Sequence, residues 1–353
     1  MRIGFTYNLK PALAATPSRV EADGRASQPV DPSDSPVDPQ FAEWDSEETI
    51  DAISNVLATA GEVVRLGAGP DLPEMLRAER PDLVFNMAEG AGERSREAHV
   101  PALLEFFHIP YTGGDALCLA LTLDKAMTKR VLEASGIPTP PFHVYAPGEI
   151  PGPADFDGAV IVKPIHEGSS IGIGNRSVCS SAEETAERVR EIHDEWDQEA
   201  VVERFLTGRE FTCAMVGNNS DLRVYPPVEI DFGVLPEGAN PVYGFEAKWI
   251  WDQPWAPLHM FRCPADIDAE LEAELVEMAK AAFRITGCRD WARIDLRLDK
   301  NGRVHVLEVN ALPGVLPDPE QNSCYPKAAR AAGVSFEDAV LAVVDAARVR
   351  YGL

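Results

Sequence analysis

Residues 291–310, WARIDLRLDKNGRVHVLEVN, constrain the fold of this chain more than any other stretch. Apolar residues at every second position from Ala292 to Leu298 alternate with charged residues, which is the period of a half-buried strand. Asn301-Gly302 is a dipeptide that two-residue type I′ hairpin turns prefer, because both central residues need positive φ. The largely apolar residues 304–309 then predict a second strand, antiparallel to the first.

The predicted turn decides which side chains face each other across the hairpin. With residues 301 and 302 as the turn, Asp295 faces Glu308 and Arg293 faces Asn310. Directly opposed like charges destabilise a sheet, so two carboxylates are tolerated there mainly when a cation lies between them. Mg²⁺ takes oxygen ligands, usually one or two carboxylates together with substrate phosphates. The hairpin therefore predicts a magnesium–nucleotide site, with a solvated strand face of alternating charges as the alternative.

Length and composition indicate a multidomain globular protein. The 353 residues exceed one typical core, so two or three domains are expected. The net charge of −25 argues against nucleic acid or an anionic membrane surface as a partner, because both attract clustered Lys and Arg. The six cysteines include no CxxC pair, which disfavours a zinc site or a disulfide framework. No leader-like or membrane-spanning stretch occurs, so we expect a cytoplasmic protein.

The order of predicted strands and helices indicates three domains. Strand–helix–strand repetition predicts a small doubly wound α/β domain at residues 1–114, with a polar surface insertion at 11–46. A central α+β domain follows at 115–205 and begins with one long helix, from Asp115 to Gly136. A C-terminal α+β domain at 206–353 contains the hairpin.

Two further stretches indicate phosphate binding. Lys163 ends the apolar stretch 159–164, where a buried ammonium is costly unless an anion pairs with it. A strand-end lysine that reaches solvent is the alternative. Residues 166–174, HEGSSIGIG, follow at once, and small residues let backbone N–H groups close around phosphate oxygens. A Gly/Ser-rich hairpin loop is the alternative for this stretch.

Other charged residues are ambiguous by themselves. Lys125 lies in the middle of the predicted long helix, where a solvated lysine is the ordinary interpretation. Glu203 and Glu210 flank the turn FLTG between two predicted strands. They suit ribose hydroxyls, although exposed acids are commoner in turns. The chain contains no Walker A or GxGxxG motif, which excludes the most familiar P-loop and dinucleotide-binding signatures.

The order of these motifs resembles the ATP-grasp superfamily, and within it the D-alanine–D-alanine ligases. The segments that carry the resemblance are LDKAMTKRVLEASGIPTP, VKPIHEGSSIGIG, VERFLTGREFT, EAKW, WARIDLRLD and LEVNALPG. The resemblance covers residues 80–345, whereas the first eighty residues match poorly. It implies an ATP-grasp fold of an N-terminal doubly wound α/β domain, a small central α+β domain and a C-terminal α+β domain. The nucleotide is expected between the last two domains.

The resemblance also implies which side chains hold ATP. Lys125 and Lys163 match the lysines that bind the phosphates, and Lys248 matches a lysine that reaches the phosphates when a loop closes. Glu203 matches the acid that contacts the adenine amino group, and Glu210 matches the acid on the ribose. These five residues are therefore expected to bind the nucleotide.

A second implied group binds metal and stabilises the transferred phosphate. Asp295, Glu308 and Asn310 match the ligands of two Mg²⁺ ions, with Mn²⁺ as an alternative, in agreement with the hairpin argument. Arg293 matches the arginine that stabilises the transferred phosphate and the tetrahedral intermediate. ATP and two divalent ions are therefore the expected cofactors.

A third implied group handles the amino acids. Ser169 matches the serine of the lid loop, Gly314 the glycine whose backbone N–H supports the oxyanion, and Ser323 the serine that binds the second substrate's carboxylate. The implied reaction is ATP-dependent amide formation through an acyl phosphate, as in peptidoglycan precursor synthesis. Amino acids are then the small-molecule substrates, and the resemblance also implies a homodimer.

Departures from the family pattern fall on the amino-acid sites. The glutamate that binds the first substrate's ammonium has no clear counterpart, and Glu43, Glu47 and Glu48 are all candidates. The family's HGxxGEDG stretch appears only as residues 88–93. Other departures are Trp249 in place of a tyrosine, inserted residues including PDPEQN before Ser323, and Cys324 in place of a leucine.

Two alternatives to a D-alanine–D-alanine ligase therefore stay open. The first is a ligase on the same scaffold that makes a different dipeptide or amino-acid conjugate in specialised metabolism, which the altered substrate positions favour. The second is a nucleotide-binding protein without turnover. The presence of Asp295, Glu308, Asn310 and Arg293 argues against the second, because a non-catalytic binder needs no second metal ligand.

Overall fold

A computed structural model describes residues 1–11, 41–92, 94–152, 158–252 and 258–353. In chain order, helices α1 to α9 in these ranges are Glu47–Ala58, Leu72–Glu79, His99–Phe106, Ala116–Leu123, Lys125–Ala134, Ala182–Trp196, Ala269–Ile285, Cys324–Ala331 and Phe336–Tyr351. Short 3-10 helices occupy Arg96–Ala98, Asn175–Ser177, Asn219–Asp221 and Phe232–Val234, and a π-helix occupies Glu246–Trp251.

The strands form three sheets among these residues. In chain order, strands β1 to β13 are Arg2–Thr6, Glu62–Arg65, Leu83–Asn86, Phe142–Tyr145, Val160–Pro164, Val178–Cys179, Ala200–Arg204, Glu210–Val216, Arg223–Val224, Val228–Ile230, Phe261–Arg262, Trp291–Leu298 and Val304–Asn310. The first sheet is parallel, in the order β2-β1-β3. The second is antiparallel, β4-β7-β5-β6, and the third is antiparallel, β11-β10-β8-β12-β13 with β9 beside β8. One parallel sheet followed by two antiparallel sheets is the predicted α/β and α+β arrangement.

A shared apolar core joins the first sheet to the third. Trp291 is fully buried at the start of β12, and its ring lies 5.8 Å from that of Phe85 on β3 and 5.3 Å from that of Tyr325 on α8. The same core contains Ile50 and Ile53 of α1 together with the inner face of α9. This packing places the residues that precede α1 next to the third sheet.

The hairpin has the predicted facing pairs but not the predicted turn. Asp295 faces Glu308 and Arg293 faces Asn310. The backbone N–H of Asp299 donates to the carbonyl of Arg303 at 2.9 Å, so the loop contains three residues instead of two. The Asp299 carboxylate stabilises this wider loop by accepting from the backbone N–H groups of residues 301 and 303. A β-bulge next to Asp295 then offsets the extra loop residue and restores the expected register.

The long helix predicted over 115–136 is wrong, because it is divided into α4 and α5. Asp124 between them has an extended backbone, with ψ of 100°, and its side chain caps α5 by accepting from the N–H of Met127 at 2.8 Å. Lys125 is therefore the first residue of α5 and not a mid-helix residue. Its backbone N–H donates to the carbonyl of Ile165, which holds the start of α5 against the loop after β5.

The predicted surface insertion, residues 11–46, is only partly described, and 12–40 lie outside the described residues. The part that follows is packed. Ala42 is buried, the indole N–H of Trp44 donates to the carbonyl of Gly90 at 3.0 Å, and the N–H of Lys10 donates to the carbonyl of Asp45 at 2.8 Å. The interpretation of residues 41–46 as loosely attached surface is therefore wrong. Ser46 caps α1, since its hydroxyl accepts from the N–H of Thr49 at 3.2 Å.

A buried carboxylate connects three parts of the chain that meet beside this core. Asp290 is fully buried and accepts from the N–H of Gly113 at 2.9 Å, from the side-chain amide of Asn218 at 2.8 Å and from the guanidinium of Arg350 at 2.6 and 3.0 Å. Each of the two carboxylate oxygens therefore accepts two hydrogen bonds. The same guanidinium also donates to the carbonyl of Tyr111.

Replacing Asp290 by Asn is expected to lower the free energy of unfolding by about 3 kcal/mol or more, because it leaves the buried Arg350 charge uncompensated. Urea denaturation measures the difference. Asp345→Asn is the matched control, since the exposed Asp345–Arg348 pair at 3.4 Å should change stability by less than about 0.5 kcal/mol. Equal effects of the two substitutions would contradict this account.

Candidate active site

A cavity of about 580 Å³ lies between the two antiparallel sheets and the residues that precede α1. Eleven of the twelve predicted site residues line it. The exception is Lys125, whose ammonium lies 3.2 Å from the carboxylate of Glu308, a residue that does line it. The structure therefore brings the predicted residues together, although they come from segments far apart in the sequence.

At one end of the cavity, a buried carboxylate lies between two lysines. Glu203 of β7 pairs with Lys163 of the neighbouring strand β5 and, at 2.5 Å, with Lys129 of α5. Burial alone would raise the pKa of Glu203, but the two ammonium groups outweigh it and hold the pKa at about 2. Glu203 is therefore ionised and almost fully buried, and the alternative of an exposed turn acid is wrong.

Lys129 was not foreseen from the sequence, although a signal was present. Ala126, Lys129 and Leu132 are all buried on α5, at the spacing of one helix face. A lysine within an apolar stripe indicates a buried cation that needs an anion. Burial is the main cause that lowers the pKa of Lys129, and Glu203 opposes it.

A second buried pair lies on the third sheet. Arg297 of β12 and Glu210 of β8 occupy directly opposed positions, and their side chains pair at 2.9 Å. Burial raises the pKa of Glu210, and Arg297 is the largest influence that lowers it. Sequence reasoning missed Arg297, because the alternating strand pattern predicts its side of the strand but not its partner.

The predicted metal ligands lie on the paired strands of the hairpin. The guanidinium of Arg293 donates to both oxygens of Asp295 at 3.0 and 3.1 Å, and the amide of Asn310 donates to Asp295 at 3.0 Å. The hydroxyl of Thr212 also donates to Asp295. Burial would raise the pKa of Glu308, but Lys125 and other nearby cations keep it below its usual range.

This donor set fits Mg²⁺ better than a transition metal. Two carboxylates and one amide supply oxygen ligands, and Mg²⁺ usually completes such a set with water and substrate phosphates. Within the described ranges, no group of three or more His, Cys, Asp or Glu side chains is arranged to hold a metal by itself. The protein therefore offers part of a coordination shell, which a phosphate-bearing substrate would complete.

Two loops meet over the cavity. The ammonium of Lys248, in the π-helix, donates to the hydroxyl of Ser169 at 3.1 Å, and the hydroxyl of Ser170 donates to the carbonyl of Tyr243 at 2.8 Å. Burial and the nearby Arg293 lower the pKa of Lys248 to about 8. The side chain of Trp249 lies outside the described residues.

Ser323 lines the cavity and also makes hydrogen bonds within its own loop. Its hydroxyl donates to the carbonyl of Gly314 at 2.8 Å and accepts from the N–H of Leu316 at 3.2 Å, so it closes the loop that precedes α8. The same loop is tied to α8 by Arg330, whose guanidinium donates to the carbonyl of Pro317. Ser323 therefore holds together the loop from Gly314 to Ser323, and its binding of a substrate carboxylate stays a prediction.

The three candidate glutamates for the first substrate occupy different environments. Glu43 lines the cavity, is largely buried and pairs with the buried Arg96 at 2.8 Å. Glu47 is exposed and pairs with Arg65 at 3.3 Å on the outer side of α1. Glu48 lines the cavity but is exposed. Arg96, which also donates to the carbonyl of His166, was not foreseen.

Comparison with known proteins assigns the family. Residues 131–345 match the family model described as D-ala D-ala ligase C-terminus. The chain is 36% identical to an uncharacterised protein of Sinorhizobium fredii, over 78% of this chain and 77% of that protein. It is 33% identical to D-alanine–D-alanine ligase B of Chromobacterium violaceum, over 78% of this chain and 83% of that protein. The chain belongs to the D-alanine–D-alanine ligase family.

A solved structure supports the fold of this family member. The D-alanine–D-alanine ligase from Bacillus anthracis, complexed with ATP, superimposes with a TM-score of 0.68 and 22% sequence identity, over 100% of this chain and 99% of that chain. The predicted ATP-grasp fold class and family resemblance are therefore confirmed. Within the part of the chain that the structure describes, every helix is too short or too polar to cross a lipid bilayer.

In this ligase-family chain, Glu203→Gln is expected to lower the free energy of unfolding at pH 7 by about 3 kcal/mol or more, because it leaves two buried ammonium groups without a counter-charge. Because folding depresses the pKa of Glu203 from 4.5 to about 2, its contribution is complete above pH 4.5 and is lost as the pH falls towards 2. The difference between wild type and variant in urea denaturation should therefore shrink over that interval. Glu195→Gln, at an exposed position of α6, is the control and should change little. If the stability difference between wild type and Glu203→Gln stays constant down to pH 2, the pKa of Glu203 is not depressed by the two lysines.

Proposed function

We propose that this protein is an ATP-dependent carboxylate–amine ligase that joins two amino acids through an acyl phosphate. One observation carries the proposal: Asp295, Glu308 and Asn310 lie on paired strands as a set of oxygen ligands. Arg293 and Lys125 pair with the two carboxylates. Oxygen ligands and cations thus meet where a transferring phosphoryl group needs charge stabilisation. Family membership and the ATP-grasp fold support this activity over a non-catalytic nucleotide-binding protein.

In the first step, a carboxylate oxygen of one amino acid attacks the γ-phosphorus of ATP, and ADP leaves as the acyl phosphate forms. Two anions approach each other in this step, so cationic side chains must offset their charge. Arg293, Lys163 and Lys248 are the residues that we assign to this role. Lys248 keeps its proton at neutral pH, because its lowered pKa is still about 8.

In the second step, the uncharged amine of the other amino acid attacks the acyl carbon and the C–O bond to phosphate breaks. The nitrogen loses one proton, and the products are the amide and inorganic hydrogen phosphate. The oxygen that becomes negative is assigned to the backbone N–H of Gly314 and to Arg293. The Ser169–Lys248 contact would keep the two loops closed over the acyl phosphate, which limits its hydrolysis by water. We assign Lys125, Glu203 and Glu210 to the nucleotide.

We assign Mg²⁺ to Asp295, Glu308 and Asn310. When bound, the ion would offset charge on the phosphate oxygens. The protein's own contribution is to hold the three ligands at adjacent positions on a stiff hairpin. Their present hydrogen bonds with Arg293 and Lys125 stabilise the carboxylates without the ion.

Glu43 is the residue that we assign to the ammonium of the first amino acid. It alone of the three candidates is both largely buried and part of the cavity wall. A Cβ atom at Gly168 would meet the end of the Glu43 side chain, so glycine there lets the lid loop approach this acid without moving it. Glu47 points to Arg65, outside the cavity.

D-Alanine is the substrate in the names of several relatives, and the proposal carries it to this chain as the expected substrate. Ser323 uses its hydroxyl to close the loop before α8, where the residues PDPEQN are inserted. To accept from that hydroxyl, a carboxylate would have to displace the hydrogen bond from Ser323 to the carbonyl of Gly314. The domain boundaries at 114 and 205, a homodimer and a cytoplasmic location stay predictions.

Phosphate release from Mg·ATP by the purified protein tests the ligase activity, with D-alanine alone and then with L- and D-amino acids singly and in pairs. We expect stimulation by at least one pair, at about 1 s⁻¹ or more, and a dipeptide in the mass spectrum. Asp295→Asn with Glu308→Gln should reduce the rate by a factor of about 100 or more. Tight ATP binding without stimulation by any pair would count against the ligase, and a preferred product other than D-alanyl-D-alanine would count against D-alanine as the substrate.

Glu43→Gln is expected to raise KM for the first amino acid by about 10-fold or more, because a charge-assisted hydrogen bond to the ammonium is lost. KM for ATP should change much less. Glu47→Gln is the matched control, since its side chain lies on the outer side of α1. Steady-state kinetics with the active pair measures both, and equal KM values for the two variants would place the ammonium elsewhere.

A further inference from the structure

Arg297 is a buried arginine in the wall of the cavity, and one of its donors lacks a partner among the described residues. Its Nη1 pairs with Glu210 at 2.9 Å, and its Nε donates to the carbonyl of Gly208 at 3.2 Å. Its Nη2 is buried and makes no hydrogen bond to any of the residues that the structure describes. A buried N–H group without an acceptor costs free energy, so this position suits a molecule that brings an acceptor into the cavity.

Two aromatic rings hold the guanidinium in place. The Arg297 guanidinium carbon lies 4.9 Å from the ring centre of Phe205 and 5.0 Å from that of Phe232. Each ring attracts the cation and restricts the rotation of its plane. The two rings therefore hold Arg297, and Arg297 in turn holds the Glu210 carboxylate. A selective hydrogen-bonding site requires such fixed side chains.

The pair offers a carboxylate acceptor and an N–H donor side by side. A hydroxyl group is both a donor and an acceptor, so it can satisfy both at once. A deoxy analogue would leave the carboxylate without that hydrogen bond and Nη2 without an acceptor. Such a site rejects the deoxy compound because its own buried polar groups then lose their partners.

We propose that Arg297 is a positioning residue that makes this site select ribonucleotides. It holds the Glu210 carboxylate to accept from the 2′-hydroxyl of ATP, and its Nη2 donates to the same hydroxyl oxygen. This inference rests on the proposed function only in that the cavity takes ATP. It does not depend on which amino acids are joined.

The test is calorimetric binding of ATP and of 2′-deoxy-ATP, each with Mg²⁺ and without amino acids. The wild-type protein should bind ATP more tightly than 2′-deoxy-ATP by about 10-fold or more. Arg297→Met keeps the side-chain volume between the rings. It should reduce the ratio of the two affinities to about 3-fold or less, mainly by weakening the binding of ATP. Glu210→Gln should reduce the ratio similarly, and the double variant should be no worse than the weaker single variant, because the two residues act as one unit.

Arg209→Met is the matched control. Arg209 also pairs with a carboxylate, that of Glu229 at 2.6 Å, and also lies over a ring, that of Phe211 at 5.1 Å, but it is exposed and outside the cavity. It should keep the wild-type ratio. If Arg297→Met does not fold, Arg297→Lys replaces it, since one ammonium cannot fill all three donor positions and should still lower the ratio by about 3-fold or more.

Two results would overturn the inference. One is a wild-type protein that binds ATP and 2′-deoxy-ATP equally, and the other is a folded Arg297 variant that keeps the wild-type ratio. The ligase proposal fails separately: a wild-type protein that prefers ATP, yet turns over no amino-acid pair, would refute the ligase and support the role of Arg297.

Discussion

The Asp295–Glu308 pair is the constraint on which the site depends. Two carboxylates at facing positions of a hairpin repel each other. Here Arg293 pairs with Asp295 and Lys125 pairs with Glu308, which offsets the repulsion. The Lys125–Glu308 pair holds the start of α5 against the third sheet. Because Lys125 opens α5 and Lys129 follows one turn later, the same helix also supplies a partner for Glu203. Pairing of buried charge thus links the second sheet to the third.

Two local irregularities of the backbone place the charged side chains of these pairs. Asp124 divides a stretch that would otherwise run as one helix, and this puts Lys125 at a helix start, where its side chain reaches Glu308. The β-bulge beside Asp295 offsets the extra residue of the hairpin loop, so the carboxylates face each other despite the irregular turn. Both features are local departures from regular structure, and both lie at the site.

Much of the fold followed from the sequence, but less of the site did. Strand periods predicted the hairpin, and the motif order predicted the family. The predicted facing positions 293–310 and 295–308 are correct only because a β-bulge offsets the wider loop. Lys129, Arg96 and Arg297 were not foreseen, since each is a charged residue on an ordinary-looking helix or strand. Whether such a residue is buried depends on its partner, and the partner lies on another element. For the same reason, the sequence could not distinguish Glu43 from Glu47.

The sequence by itself determined the elements, the family and the set of oxygen ligands on the hairpin, because these depend on residue types at short spacing. Only the tertiary structure decided which charges pair. Glu203 is held between Lys129 and Lys163, Glu210 is held by Arg297, and Ser323 is engaged within its own loop. Ion pairs and hydrogen bonds form over about 3 Å. Distances on that scale between remote segments are fixed by the packing of sheets and helices. Patterns of residue types at short spacing do not specify that packing.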